Sequence, residues 1–292
     1  MPIIGHSKVI NFLNKSIERN STSGAYLFCG VEHLGKFTVA LDFAEKITNG
    51  AGQSINPDII IIRPVVEEKK GVIKKKDIKV EQVRELQKSL ARTPYFGQMK
   101  VAIVDDAERL TMAAQNALLK TLEEPDAKSV LILVCHNQEK ILATIKSRCI
   151  IRNFTAVSDR EIETITPDGM LSAAAVFWAL GRPGLAVEFF HQPEKLQVLE
   201  KSRAELINLF QSNLSDKFSL AEELGKNTQK LKETLQTWTI LLRQNLIVPG
   251  NFLGVTQGKS LEILEKISES LALIQETNSN PRVVLENLLL NF

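Results

Sequence analysis

Gly30-Val31-Glu32-His33-Leu34-Gly35-Lys36-Phe37 is the first stretch whose residue types and spacing could do chemistry. It fits GxxxxGK, a pattern in which backbone N–H groups and one lysine surround phosphates at the start of a helix. The position after the lysine has to offer Mg²⁺ a hydroxyl, and Phe37 has none. Thr38 carries a hydroxyl one position late, on another face of a helix. Glu32 and His33 add negative charge and bulk beside the place where phosphates would lie. A plain tight turn would explain the same residues, with Gly30 and Gly35 shaping it and Lys36 as a solvated helix-start lysine.

The second constellation is Val101-Ala102-Ile103-Val104 followed by Asp105, Asp106 and Glu108. Carboxylates at the carboxyl end of a buried strand lie where α/β folds place their chemistry. They resemble a Walker B motif, in which the first acid holds the Mg²⁺ water shell and the next, usually glutamate, polarises the attacking water. Asp106 has a shorter reach than glutamate. Alone, Asp105 and Asp106 would read as acids that favour the dipole at a helix start; together with Lys36 they read as a degenerate phosphate and metal site.

The elements that would position these groups follow from hydrophobic periodicity. Apolar residues at helical spacing predict an opening helix over 9–17, and short apolar runs predict strands over 25–29, 59–62, 101–104 and 130–134. The runs are nearly continuous rather than alternating, as for strands covered on both faces. Helical patterns at 39–47, 80–91 and 110–124, the last ended by Pro125, lie between these runs, so the order over 59–134 is β-α-β-α-β, which predicts a mostly parallel sheet with helices on both sides. From residue 155 onward the pattern becomes helical, with a small unit over 158–190 and a larger one over 193–292 in which 214–246 is strongly amphipathic. The expected domains are 1–154, 155–191 and 192–292.

Composition narrows the function classes. The 292 residues carry a formal net charge of +2, so any contact with nucleic acid has to use a local patch rather than a global field. Cys29, Cys135 and Cys149 are widely separated and apolar in context, which offers neither a disulfide framework nor a CxxC metal pair and implies a reduced, cytoplasmic setting. Residues 1–8 lack a signal-like pattern, and no apolar run approaches the ~18 residues of a membrane span, so the chain reads as soluble. The lysine-rich turn over 69–76 could touch DNA phosphates, but Glu67, Glu68 and Asp77 flank it and no aromatics interleave it, which favours a solvated hairpin tip.

From Ile78 the chain runs IKVEQVRELQKSLARTPYFGQMKVAIVDDAERLTMAAQNALLKTLEEP and then LILVCHNQEKILATIKSRCIIRNF. These segments closely resemble the bacterial clamp-loader gamma/delta-prime family, the phrases NALLKTLEEP (residues 116–125) and SRC (residues 147–149) being highly specific. The resemblance is strong over residues 1–154; beyond them only Gly181-Arg182-Pro183-Gly184 matches the family. It implies a RecA-like AAA+ parallel-sheet domain, a small helical lid and an all-helical C-terminal collar. It also implies that Arg148 acts in trans on a neighbour's ATP, since a guanidinium can neutralise developing γ-phosphate charge; a lone arginine would otherwise read as a surface salt bridge. His136 and Asn137 match the sensor-one location, and a strand cap explains them equally.

Gamma-type members carry GKT or GKS, a DE pair and a lid sensor arginine, whereas here those places hold Phe37, Asp106 and Gly184. All three losses point to the delta-prime branch, with Gly30, Gly35, Lys36, Asp105 and Asp106 as a degenerate ATP site and nucleotide binding without hydrolysis left open. Residues 49–57 contain no cysteine, so the family's zinc module is absent and no zinc or other metal is expected. Implied partners are gamma/tau-type and delta subunits, with the sliding clamp and primer–template DNA reached through the complex and no membrane. Two other readings stay open: an active gamma-type ATPase, and a stand-alone P-loop protein.

Overall fold

A computed structural model describes residues 3–292 except 23, 50–55, 70–71, 98, 127, 165–170, 248–252 and 277–278. Two compact units divide the chain, Met1–His191 and Gln192–Phe292.

In the first unit the chain runs through α1 (Ser7–Glu18), β1 (Gly24–Cys29), α2 (Lys36–Ile47), β2 (Ile59–Ile62), β3 (Val66–Lys69), β4 (Val72–Lys75), α3 (Val80–Leu90), β5 (Lys100–Val104), α4 (Met112–Glu123), β6 (Ser129–Cys135), α5 (Ala143–Lys146), β7 (Ile150–Asn153), α6 (Asp159–Glu163), α7 (Ala173–Ala179) and α8 (Pro183–His191). Five strands form one sheet in the order β2-β5-β6-β1-β7, every pairing parallel. β3 and β4 form a separate antiparallel hairpin.

Strand side chains alternate between two apolar layers, as a period of two requires. Leu27, Ala102, Val104, Leu131 and Leu133 face a core closed by Val83 and Leu86 of α3 and Ala114 and Leu118 of α4. Tyr26, Phe28, Val101, Ile103 and Ile132 face the opposite core with Leu13 of α1 and Val39 and Phe43 of α2. Both faces are therefore covered, which is why β1, β5 and β6 read as continuous apolar runs. A fully parallel sheet also brings the carboxyl ends of β1, β2, β5 and β6 to one edge.

One local expectation is corrected and two details are added. The helix expected from residue 110 begins at Met112, because Leu110 pairs with Ile78 in an isolated parallel bridge and the Thr111 hydroxyl accepts from Ala114 N–H at 3.2 Å as the N-cap. β7 adds an edge strand that the apolar runs did not predict; Ile150 and Asn153 are exposed and Ile151 and Arg152 half-buried. The amphipathic stretch 214–246 comprises two helices, Leu214–Gly225 and Thr228–Ile247.

The second unit contains α9 (Pro193–Gln211), α10 (Leu214–Gly225), α11 (Thr228–Ile247), α12 (Gln257–Glu276) and α13 (Pro281–Leu289). Asn227 separates α10 from α11 by accepting from the N–H groups of Gln229 and Lys230, both at 3.0 Å, an N-cap signal inside the periodic pattern. The core of this unit includes Leu206, Leu224, Leu231, Leu235, Trp238, Leu241 and Ile263, all buried. Among the described residues no helix is long and apolar enough to cross a membrane.

Candidate functional site

A cleft of about 340 Å³ lies at the carboxyl edge of the sheet, bordered by the Glu32–Thr38 loop and helix start, Lys75, Asp105, Asp106, His136 and Gly184. The sequence-predicted groups Gly35, Lys36, Asp105 and Asp106 thus meet in one place, as the parallel topology requires. Thr38 also borders the cleft, contrary to the expectation that it would face elsewhere.

The loop is shaped by close approach. Gly30 has φ +151°, and a Cβ there would lie 2.5 Å from the Phe154 carbonyl oxygen, so only glycine fits. His33 takes a left-handed φ of 65°, and its carbonyl accepts from Gly184 N–H of α8 at 2.8 Å. Gly184 therefore packs its backbone directly on the loop.

Lys36 is only 3% exposed. Its ammonium has three N–H donors, and three protein acceptors surround it: Gly30 O and Val31 O, each at 2.6 Å, and His136 Nδ1 at 3.0 Å. Burial pushes its pKa down, opposed by the nearby Cys135 and the carboxylates of Glu108, Asp105 and Glu32. With Nδ1 accepting from Lys36, the network assigns the ring proton to Nε2, which donates to Asp106 Oδ1 at 2.6 Å.

Asp106 is equally engaged. Its other oxygen accepts from Lys75 Nζ at 2.6 Å, and Arg109 Nε lies 4.0 Å away. The His136 hydrogen bond, assisted by Lys75 and opposed by burial, holds the carboxyl well below the usual carboxylate range. Asp106 adopts a left-handed φ of 51°, a conformation aspartate tolerates better than most residues and one that clusters at functional sites. Asp105 pairs with Arg63 at 3.2 Å, and the Arg63 guanidinium lies over the Phe37 ring, 3.9 Å from its centroid. Burial, then the Asp106 charge, pushes the Asp105 pKa up.

Residues that sequence reasoning missed here are Arg63, Lys75, Arg109 and the contact of Glu108, whose carboxylate accepts from His136 N–H at 3.2 and 3.3 Å. Lys75 is a correction: read as part of a solvated tip, it sits at the hairpin base on Asp106, while Lys76 pairs with Glu67. Lys70 and Gly71 of that turn lie outside the described residues. Arg63 had one legible signal, its position directly after β2 at the edge where Asp105 ends its own strand. His136 and Asn137 separate in role: His136 enters the network, and Asn137 accepts from Glu139 N–H at 2.9 Å as a local cap.

ATP·Mg²⁺ does not fit this donor set as it stands. Phe37 offers no metal ligand, both acids are ion-paired, and Lys36 has no free donor. Asp106, Glu108 and His136 bring ligand atoms within 4.8 Å of one another, but Asp106 already holds Lys75.

Arg148 does not line this cleft. It is exposed after α5, where its guanidinium donates to Thr144 O at 3.0 Å and to Glu123 Oε1 at 2.9 Å. The two specific phrases of the sequence thus touch, SRC through Arg148 and NALLKTLEEP through Glu123. Gln115, only 4% exposed, joins their elements by donating to Leu110 O and Lys140 O and accepting from Leu142 N–H just before α5.

Comparison with known proteins gives a family model described as DNA polymerase III, delta subunit, matching residues 5–158, just over half of the chain. DNA polymerase III subunit delta' of Pseudomonas aeruginosa is 33% identical over 142 residues, which cover 43% of this chain and 41% of the relative. Subunit delta' of Haemophilus influenzae is 41% identical over 121 residues, covering 39% and 36%. The chain thus spans less than half the length of these curated relatives. Among solved structures, a DNA polymerase III gamma subunit-related protein of Thermotoga maritima aligns with TM-score 0.51 and 21% identity over 96% of this chain and 97% of that one. The RuvB Holliday junction branch migration motor of the same organism aligns with TM-score 0.51 and 16% identity over 98% and 87%. At these identities the likeness shows the fold alone, a parallel sheet covered by helices and followed by further helices.

Proposed function

The chain belongs to the delta-prime/gamma clamp-loader family of DNA polymerase III, and from that premise we propose that it is a non-hydrolysing, delta-prime-type subunit of a bacterial sliding-clamp loader. In this reading it contributes to DNA replication within the DNA polymerase III holoenzyme without being an ATPase by itself. Gamma/tau-type and delta subunits are its partners, and the clamp and primer–template DNA are reached through the complex. The lid lies within 155–191, and the helical unit over 192–292 serves as the oligomerisation collar.

The observation that carries the reading is a division of cationic groups. Lys36 directs every donor into its own protein, whereas Arg148 stands exposed outside the cleft with a guanidinium that can change partners. Its ion pair with Glu123 is a surface pair worth about 0–1 kcal/mol, small enough to be exchanged for a phosphate. A planar, permanently charged fork presented to a γ-phosphate contributes ~10³–10⁵ in rate in related phosphoryl-transfer systems. Arg148 then supplies charge neutralisation to a nucleotide bound by the neighbour, and the home cleft supplies none.

The test is a clamp loader reconstituted with Arg148→Ala. The complex should assemble and lose the clamp- and DNA-stimulated ATP turnover of the site that Arg148 faces, and Arg148→Lys should fail likewise because an ammonium lacks the fork. A fully assembled Arg148→Ala complex with undiminished stimulated turnover would overturn the proposal.

A further inference from the structure

The acids bordering the cleft are paired with cations of their own chain. Asp105 meets Arg63, Asp106 meets Lys75 and Arg109, and the buried ammonium of Lys36 is fixed by two carbonyls and His136. Phe37 contributes here as well: where a hydroxyl would bind metal, its ring instead carries the Arg63 guanidinium at 3.9 Å and keeps it on Asp105. The loss of the metal ligand and the gain of a replacement cation are thus two ends of one contact. Lys75 does the same on the other acid, its Nζ lying 2.6 Å from an oxygen of the Asp106–Glu108–His136 group, whose ligand atoms are close enough together to share one ion.

Resting on the reading that the home site does not hydrolyse ATP, we infer that Arg63 and Lys75 are resident counter-cations that stand in for a divalent metal at Asp105 and Asp106. Lys75 thereby ties the β3–β4 hairpin to the end of β5. Arg109 reinforces that tie by donating to Lys75 O at 3.0 Å, and Ile78 N–H donates to Arg109 O at 2.9 Å. Freed of Lys75, the Asp106 and Glu108 carboxylates offer hard oxygen donors suited to Mn²⁺, whereas His136 adds Nε2 only by moving its proton to Nδ1 and releasing Lys36. Removing the resident cations should therefore create a metal site, a gain that simple loss of a surface ion pair would not produce.

The experiment uses the full chain and Mn²⁺ alone as probe, with free ion followed by electron paramagnetic resonance and unfolding followed thermally. Wild type should leave Mn²⁺ free, and the double variant Arg63→Met, Lys75→Met should bind it at least about tenfold more tightly, a difference of about 1.4 kcal/mol. Adding Asp106→Asn should abolish the gain. If the double variant does not fold, Lys75→Gln alone, whose amide keeps a hydrogen bond to Asp106, should show the same gain at smaller size. Equal Mn²⁺ affinity in wild type and a folded variant, or a folded variant indifferent to Mn²⁺, would overturn the inference. Neither result touches the non-hydrolysing reading, which fails instead if wild type turns over ATP with Mg²⁺ in a parallel assay.

Discussion

Lys36 and Arg148 show how position decides what a cation can do. Each sits in a motif that could face phosphate, yet one is buried among acceptors of its own chain and the other is exposed beside an exchangeable carboxylate. Asp106 is the hinge of the buried network. Its carboxyl is held below the ordinary range, so folding favours the ionised form; that stabilisation is complete above the unfolded value of about 3.9 and is lost as pH falls through the folded one. Asp106→Asn should cost about 2 kcal/mol near neutrality, the scale of a hydrogen bond to a charged group. Its deficit against wild type should shrink as pH drops below about 4. Denaturant unfolding across pH checks this, and a constant deficit would contradict it. Some acid sensitivity should persist in the variant: burial works to raise the Asp58 pKa, but donors from Tyr95, Phe96 and Gly97, with Lys100, outweigh it and hold that carboxyl low. At this scale the GxxxxGK loop and the acid pair were legible because their spacing is local. Arg63 and Lys75 were not, since each reaches its acid from 42 and 31 positions away in the chain, respectively, through strand order and hairpin register.

The elements fix where Arg148 sits. α4 and α5 are joined by Gln115, whose amide satisfies Leu110 O, Lys140 O and Leu142 N–H inside the fold. Gln115→Leu fills the same space without those bonds and leaves buried polar groups unpaired, a cost of about 1–3 kcal/mol. The stimulated turnover of a reconstituted loader should fall with it, although Gln115 touches no nucleotide, because α5 would no longer hold Arg148 in register. Unchanged turnover with lowered melting temperature would leave Gln115 with a purely structural role and contradict the positioning argument. The strands β1, β2, β5 and β6 were readable as apolar runs, whereas β7 was not. A short edge strand with half-exposed residues lacks that signal, and its pairing to β1 is decided by tertiary contact.

On the scale of the whole molecule, two units of different character share one chain. The first carries the cleft and Arg148; the second is a helical unit with its own core, in which Asn245 satisfies Val255 O, Ser260 Oγ and Leu253 N–H. The change from continuous apolar runs to helical periodicity was visible in the sequence because sheet burial and helix burial impose different periods. The break at Asn227 was less visible, since helical periodicity continues on both sides of it. In the proposed reading the chain lends an arginine to a neighbour while the charged groups lining its own cleft are paired within the chain. Isothermal titration of ATP with Mg²⁺ into the purified chain tests that claim most directly. No saturable heat is the predicted result, and micromolar one-to-one binding would contradict the account.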